Sequence, residues 1–155
     1  MGTGTTLYAG FWRRFIAIII DRFILGLVFW IFVAVFGSGR LAEIVSMGRQ
    51  PDPTVILAFV RTVWLISIAF TVINWLYFAL LESSSKQATL GKMALSMRVT
   101  DLQGQRIGFG RATGRYFGKI ISAIILYVGY MMAGWTEKKQ ALHDMMAGTL
   151  VVRSL

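Results

Sequence analysis

The run from Phe11 to Phe36, FWRRFIAIIIDRFILGLVFWIFVAVF, leaves this chain few ways to fold. As a helix it is about 39 Å long, more than the roughly 30 Å hydrocarbon core of a bilayer. Yet it carries Arg13, Arg14, Asp21 and Arg22. Asp21 lies about 15 Å along the helix. The apolar remainder, Phe23 to Phe36, covers only about 21 Å and cannot span alone. Asp21 is therefore expected in the membrane or just under its cytoplasmic face. An ionisable side chain at that depth needs a partner or a water-filled cavity. Arg14 and Asp21 fall within about 20° of one helix face, about 10 Å apart along the axis.

Only 15% of the 155 residues are charged and 56% are hydrophobic, against roughly 25% charged in soluble domains. That composition describes a membrane protein of one domain, with the lipid bilayer as its first partner. The net charge is +9. Its basic residues crowd between Lys86 and Lys119, which reads as cytoplasmic topology and an affinity for anionic lipid headgroups. No nucleic-acid recognition motif accompanies the charge, so nucleic acid is not expected as a partner. The absence of cysteine excludes disulfides and thiolate metal sites, and a single histidine excludes a multi-histidine metal site within one chain. The first hydrophobic run is too long for the core of a signal peptide.

Taken in order, residues 1–10 are small and polar and are expected to be poorly ordered. Tyr8, Phe11 and Trp12 read as an interfacial belt beside Arg13 and Arg14, which suggests a cytoplasmic N-terminus. Helix 1 covers about 11–36. An outer loop, 37–54, follows, with Gly37, Gly39, Gly48, Pro51 and Pro53, and with Leu41 to Met47 able to form a short interfacial helix. Asp52 or Thr54 can cap helix 2, about 55–82. Within it Arg61 reaches the outer interface, and Asn74 lies deep enough to make an interhelical hydrogen bond worth about 0.6–2 kcal/mol. Glu82 ends it at the cytoplasmic edge.

In the basic region, 83–115, Leu90 to Met97 can form a short amphipathic helix. Met97 to Asp101 (MRVTD) then alternates like a strand, Gln105 to Gly108 can return as a second, and Thr149 to Arg153 (TLVVR) is predicted to join them. That sheet would bring the tail, 136–155, to the cytoplasmic side. The hydrophobic segment 116–135 would then be a re-entrant or broken hairpin, bent near Gly129. Three plain spans with the C-terminus outside are the alternative. The fold class is thus an all-α transmembrane bundle of three hydrophobic segments with a small cytoplasmic β element.

Gly110, Gly114, Gly118 and Ser122 recur every four residues, a small-residue face suited to close helix packing. Arg111, Arg115 and Lys119 run one position round. Either they form a solvated or phosphate-facing stripe, or Arg115 or Lys119 neutralises Asp21 or an anionic ligand. His143-Asp144 resembles half of a metal dyad without the remaining ligands, and Asp144 can instead cap the turn that follows through the Met146 and Ala147 amides. Nucleotide-binding, nucleophile-elbow and metalloprotease motifs are all missing. Neither an enzyme nor a cofactor is expected.

The stretches GFWRRFIAIIID, QATLGKMALSMRVTDLQGQ, RATGRYFGK and QALHDMMAGTLVV together resemble the RDD family of small membrane proteins, from about Tyr8 to Val152. The family's name refers to one arginine and two aspartates, which match Arg14, Asp21 and Asp144 here. The resemblance implies a transporter of unidentified ligands, or a protein that acts through partners. The expectation is a multi-pass protein of the bacterial inner membrane that moves a small solute or ion, with Asp21 binding a cation or proton or hydrogen-bonding a polar solute. Arg14, Asp21 and Asp144 would form its site, Asn74, Arg115, Lys119 and His143 would support it, and Gly110, Gly114 and Gly118 would pack helices. So few segments enclose little, so a homo-oligomer is expected. The alternative is a scaffold in which the charges are structural ion pairs.

Overall fold

Apolar residues dominate the first two helices so completely that each outlasts a bilayer. The computed structural model describes residues 7–48, 52–124 and 128–153. In it α1 runs Phe11–Ser46 and α2 runs Pro53–Ser83, both long and apolar enough to cross a membrane. The expected loop after Phe36 is largely helix. Gly37 and Gly39 cost about 1 kcal/mol each in a helix interior. Against that, Gly37 packs closely enough on Phe59 that an added Cβ would touch its ring at 3.5 Å, and Arg40 and Glu43 pair at 3.2 Å one turn apart. The chain leaves α1 through Gly48 at φ +72°. Asp52 is the N-cap of α2: its Oδ1 accepts from the Thr54 amide and hydroxyl, each at 2.8 Å, with Pro53 in the first helical position.

Contacts divide the chain into two compact units, residues 1–22 with 75–155, and residues 23–74. The second unit holds the later part of α1 and the earlier part of α2, with Phe29 and Phe70 edge to face at 5.1 Å. Asn74 is buried in this unit.

The first unit is built on α3 (Leu90–Ala94), β1 (Met97–Asp101), α4 (Phe109–Ile124), α5 (Val128–Met131, extended by a tight turn to Gly134), α6 (Leu142–Met146) and β2 (Thr149–Arg153). β1 and β2 pair antiparallel, Met97 opposite Arg153 through Asp101 opposite Thr149. Met97, Val99 and Val151 face a core with Ala9, Ala17, Ala79, Ile107 and Ala112. The expected third strand shrinks to one bridge, Thr100 to Arg106. Asp101 folds the chain into a tight loop by accepting from the Gln103 and Gln105 amides, and α4 begins soon after.

The N-terminal segment supplies the outer partner instead. Tyr8 bridges to Val152, the Ala9 amide donates to Val151 O and the Arg153 amide to Leu7 O, each at 2.8 Å. Residues 7–10 are therefore tied into the fold rather than loose, and residues 1–6 lie outside the described residues. The axes of α4 and the α5 segment meet at 116°. Residues 125–127 between them, just ahead of the expected bend at Gly129, lie outside the described residues. Gly129 instead lies so close to Ser122 that an added Cβ would sit 2.9 Å from its Cα and Cβ.

Within this chain the glycine row is covered only in part. Gly118 and Ser122 are buried together with Ala112 and Arg115, whereas Gly110 and Gly114 meet nothing within 4 Å. A four-residue step advances about 400°, so the row drifts about 40° per step off any fixed face. The buried face, 112, 115, 118 and 122, instead follows steps of three, three and four.

Candidate functional site

Asp21 faces the first turn of a helix. α3 opens at Thr89 in an extended conformation, with no cap from its own side chain. Asp21 supplies the cap from α1: Oδ1 accepts from the Gly91 amide and the Tyr77 hydroxyl, each at 2.7 Å, and Oδ2 accepts from Thr89 Oγ1 at 2.6 Å. Tyr77 Oη in turn accepts from the Leu90 amide at 3.2 Å. A carboxylate at a helix N-terminus is favourable, because its oxygens meet unpaired amides. Gly91 makes the approach possible, since a Cβ there would lie 2.2 Å from Ala17 O.

Asp144 anchors the second cluster. It sits at the third position of α6 and reaches back to the Ala141 amide at 3.2 Å, not forward to Met146 and Ala147 as the sequence suggests. Its Oδ2 also pairs with Arg14 Nη1, and its Oδ1 accepts from Arg115 Nε at 2.9 Å and Nη2 at 2.6 Å. Arg14 is held further by Ala9 O at 2.8 Å and Lys139 O at 2.6 Å. Arg115 continues the chain of ion pairs to Glu82 Oε2 at 3.1 Å, and Glu82 Oε1 accepts from Lys92 Nζ at 2.6 Å and Lys119 Nζ at 3.1 Å. Lys119 also lies 4.1 Å from the centre of the Phe78 ring, a cation–π contact. Four cations thus share two carboxylates.

His143 packs on Tyr130 at 4.9 Å between ring centres, with Nδ1 3.2 Å from Ser122 Oγ and Nε2 3.4 Å from Asp144 Oδ1. Burial drives its imidazole down to about 3 from an ordinary 6.5, and the opposing pull of Asp144 is smaller. Burial alone would raise the Asp144 carboxyl, but the Arg115 and Arg14 guanidiniums outweigh it and hold it well below the usual carboxylate range. Burial pulls the Lys92 ammonium down to about 7, against the upward pull of Glu82. One consequence is testable. Between pH 6.5 and about 3 the unfolded chain protonates His143 while the folded chain does not. Stability therefore falls as pH drops through that window, and Asp144 adds to the fall at its acid end. His143→Gln should flatten the upper part of the decline in detergent-solubilised protein followed by thermal unfolding. An unchanged pH profile would refute the assignment.

A cavity of about 490 Å³ lies against both clusters. Its lining combines apolar side chains, among them Phe11, Phe15, Ile18, Ala123 and Met131, with the charged Arg14, Asp21, Arg22, Lys92, Arg115 and Lys119. The fold therefore brings Arg14, Arg115 and His143 into direct contact with Asp144, links Lys119 to them through Glu82, and packs Gly118 closely on His143. Asp21 shares the cavity but not the ion pairs, and neither Arg115 nor Lys119 is its partner. Asn74 is not among the lining residues. Reading the sequence missed Glu82, Lys92, Tyr77 and Thr89. The signal for Glu82 was available: it is the acidic residue closing a long apolar helix, opposite an oversupply of cations.

A family model described as the RDD family matches residues 8–148. YxaI of Bacillus subtilis, named as an uncharacterized protein, is 41% identical over 150 residues, covering 93% of this chain and 96% of the relative. YteJ of the same organism, named as an uncharacterized membrane protein, is 29% identical over 154 residues, 96% of this chain and 82% of the relative. A proline-rich antigen homolog of Mycobacterium tuberculosis is 33% identical over 93 residues, 57% of this chain but only 37% of its own length. No solved structure matches.

Proposed function

Starting from the premise that the chain belongs to the RDD family of membrane proteins, we propose that it binds a small anionic solute in the 490 Å³ cavity and moves it across the bilayer. The charge balance around the cavity carries this reading. Arg14, Arg22, Lys92, Arg115 and Lys119 line it, Asp21 is the acidic residue among the lining, and Glu82 and Asp144 stand behind it. Leaving aside Arg22, which is exposed, four mostly buried cations against three carboxylates leave positive charge in excess in a place of poor solvation, which an anion relieves. A cation is the poorer fit, because the Asp21 oxygens already accept three hydrogen bonds. The cavity binds rather than transforms its ligand.

The β layer supports one topology. Strands that pair lie on one side of a membrane, so Leu7–Ala9, β1 and β2 share a face, and the α4–α5 segment enters and leaves by that face. The basic excess in 83–119 makes it the cytoplasmic face of a bacterial inner membrane. Few spans enclose little, so the transporting unit is a homo-oligomer.

The test is flux in liposomes over a panel of small anions, cations and neutral solutes. Anion flux is expected in the wild type. It should fall about tenfold in Lys119→Gln or Arg22→Gln, the loss of one charge-assisted hydrogen bond of roughly 1.4 kcal/mol. One observation favours a second reading, a scaffold: Arg115, Glu82 and Asp144 are nearly dry and bind one another. Folded wild type that carries no solute of the panel would favour the scaffold and reject transport.

A further inference from the structure

We infer that a second cleft, between the start of α1 and the turn after α5, holds the phosphodiester headgroup of an anionic membrane lipid. The cleft has a volume of about 690 Å³ and shares only Phe11 and Met131 with the cavity described above. It therefore stands independently of any transport activity.

Its walls combine two features. Trp12 and Trp135 line it, with 71% and 63% of their surface exposed. Arg13, Lys139 and Arg153 supply three cations, and no lining residue is acidic. Among the described residues none of these cations forms a salt bridge. Arg13 Nη1 reaches Leu95 O at 3.5 Å and Lys139 Nζ donates to Gly134 O at 3.0 Å, which leaves most of their donors for a ligand.

The fold places these groups in advance. The Arg153 amide donates to Leu7 O, which pins the end of β2 beside the start of α1. Lys139 is held in a left-handed conformation, φ +50°, and its carbonyl accepts from Arg14 Nη2 at 2.6 Å. Exposed tryptophans mark headgroup depth, where an indole meets both the apolar and the wet layer. Basic clusters at that depth attract anionic lipids. A net-anionic headgroup matches three cations with no carboxylate, whereas the choline of a zwitterionic lipid would meet like charge.

The experiment is quenching of tryptophan fluorescence in nanodiscs by brominated phosphatidylglycerol or brominated phosphatidylcholine. Phosphatidylglycerol is expected to quench preferentially, and the excess should vanish in Trp12→Phe/Trp135→Phe. Arg13→Gln, Lys139→Gln and Arg153→Gln should each lower the relative affinity by up to about fivefold, the effect of one basic residue near an anionic surface. Arg13→Lys and Arg153→Lys should retain it. Equal quenching by the two lipids, or a preference untouched in the triple glutamine variant, would overturn the proposal. Loss of the preference on adding inorganic phosphate would assign the cleft to free phosphate and overturn the lipid.

Discussion

Asp144→Ala is expected to destabilise the detergent-solubilised protein by about 3–5 kcal/mol, the cost of deleting one partner of a buried ion pair. The carboxylate serves two guanidiniums and the Ala141 amide at once. Alanine would leave Arg14 and Arg115 facing each other as like charges and would remove the cap from α6. Asp144→Asn keeps Oδ1 as an acceptor for Arg115 and should lose less. Thermal unfolding of the three proteins side by side gives the order wild type, then Asn, then Ala. An alanine variant as stable as wild type would mean that the two arginines find water or another acceptor, and that the network does not hold α6 in place.

Gly91→Ala is the second large effect, expected at about 3 kcal/mol, the upper end for overpacking. The clash is with Ala17 O, a backbone atom, so no rotamer change relieves it and Ala17→Gly should not rescue the variant. Two other glycines calibrate the result. At Gly118 a Cβ would stand 3.1 Å from His143 Cβ, tight but adjustable, and Gly118→Ala should cost about 1 kcal/mol. At Gly110 there is open space, and alanine should gain up to about 1 kcal/mol of helix propensity. If Gly91→Ala unfolded no earlier than Gly110→Ala, α3 would have to slide along α1 at little cost.

Some of this architecture is legible in the residues. MRVTD and TLVVR are β-branched islands in a helical chain, so their pairing follows once both are noticed. Asp52 before a proline is one of two legible caps for α2, and the structure selects it over Thr54. The candidate site is harder. Matching charges by sign pairs Asp21 with a cation, yet its partners are two hydroxyls and an amide, groups whose availability depends on where α3 begins. Glu82 reads as the end of a helix because its three cationic partners come from positions 92, 115 and 119, which only tertiary structure collects. The glycine row is only partly covered by this chain for a simpler reason: a regular step in sequence is not a fixed direction in a helix of 3.6 residues per turn.

The pairing of the first described residues with the last strand bears on the order of events during synthesis. Arg14 leaves the ribosome early and Arg115 midway, but their shared counter-charge is residue 144. Leu7 and Ala9 must likewise wait for residues 151–153. Until then α1 is in the bilayer with an arginine whose eventual neighbour does not yet exist. The chain therefore closes like a clasp, with a later-made segment locking an earlier one, and a ribosome that stalls before Asp144 leaves an inserted but unlatched intermediate that quality-control proteases can take.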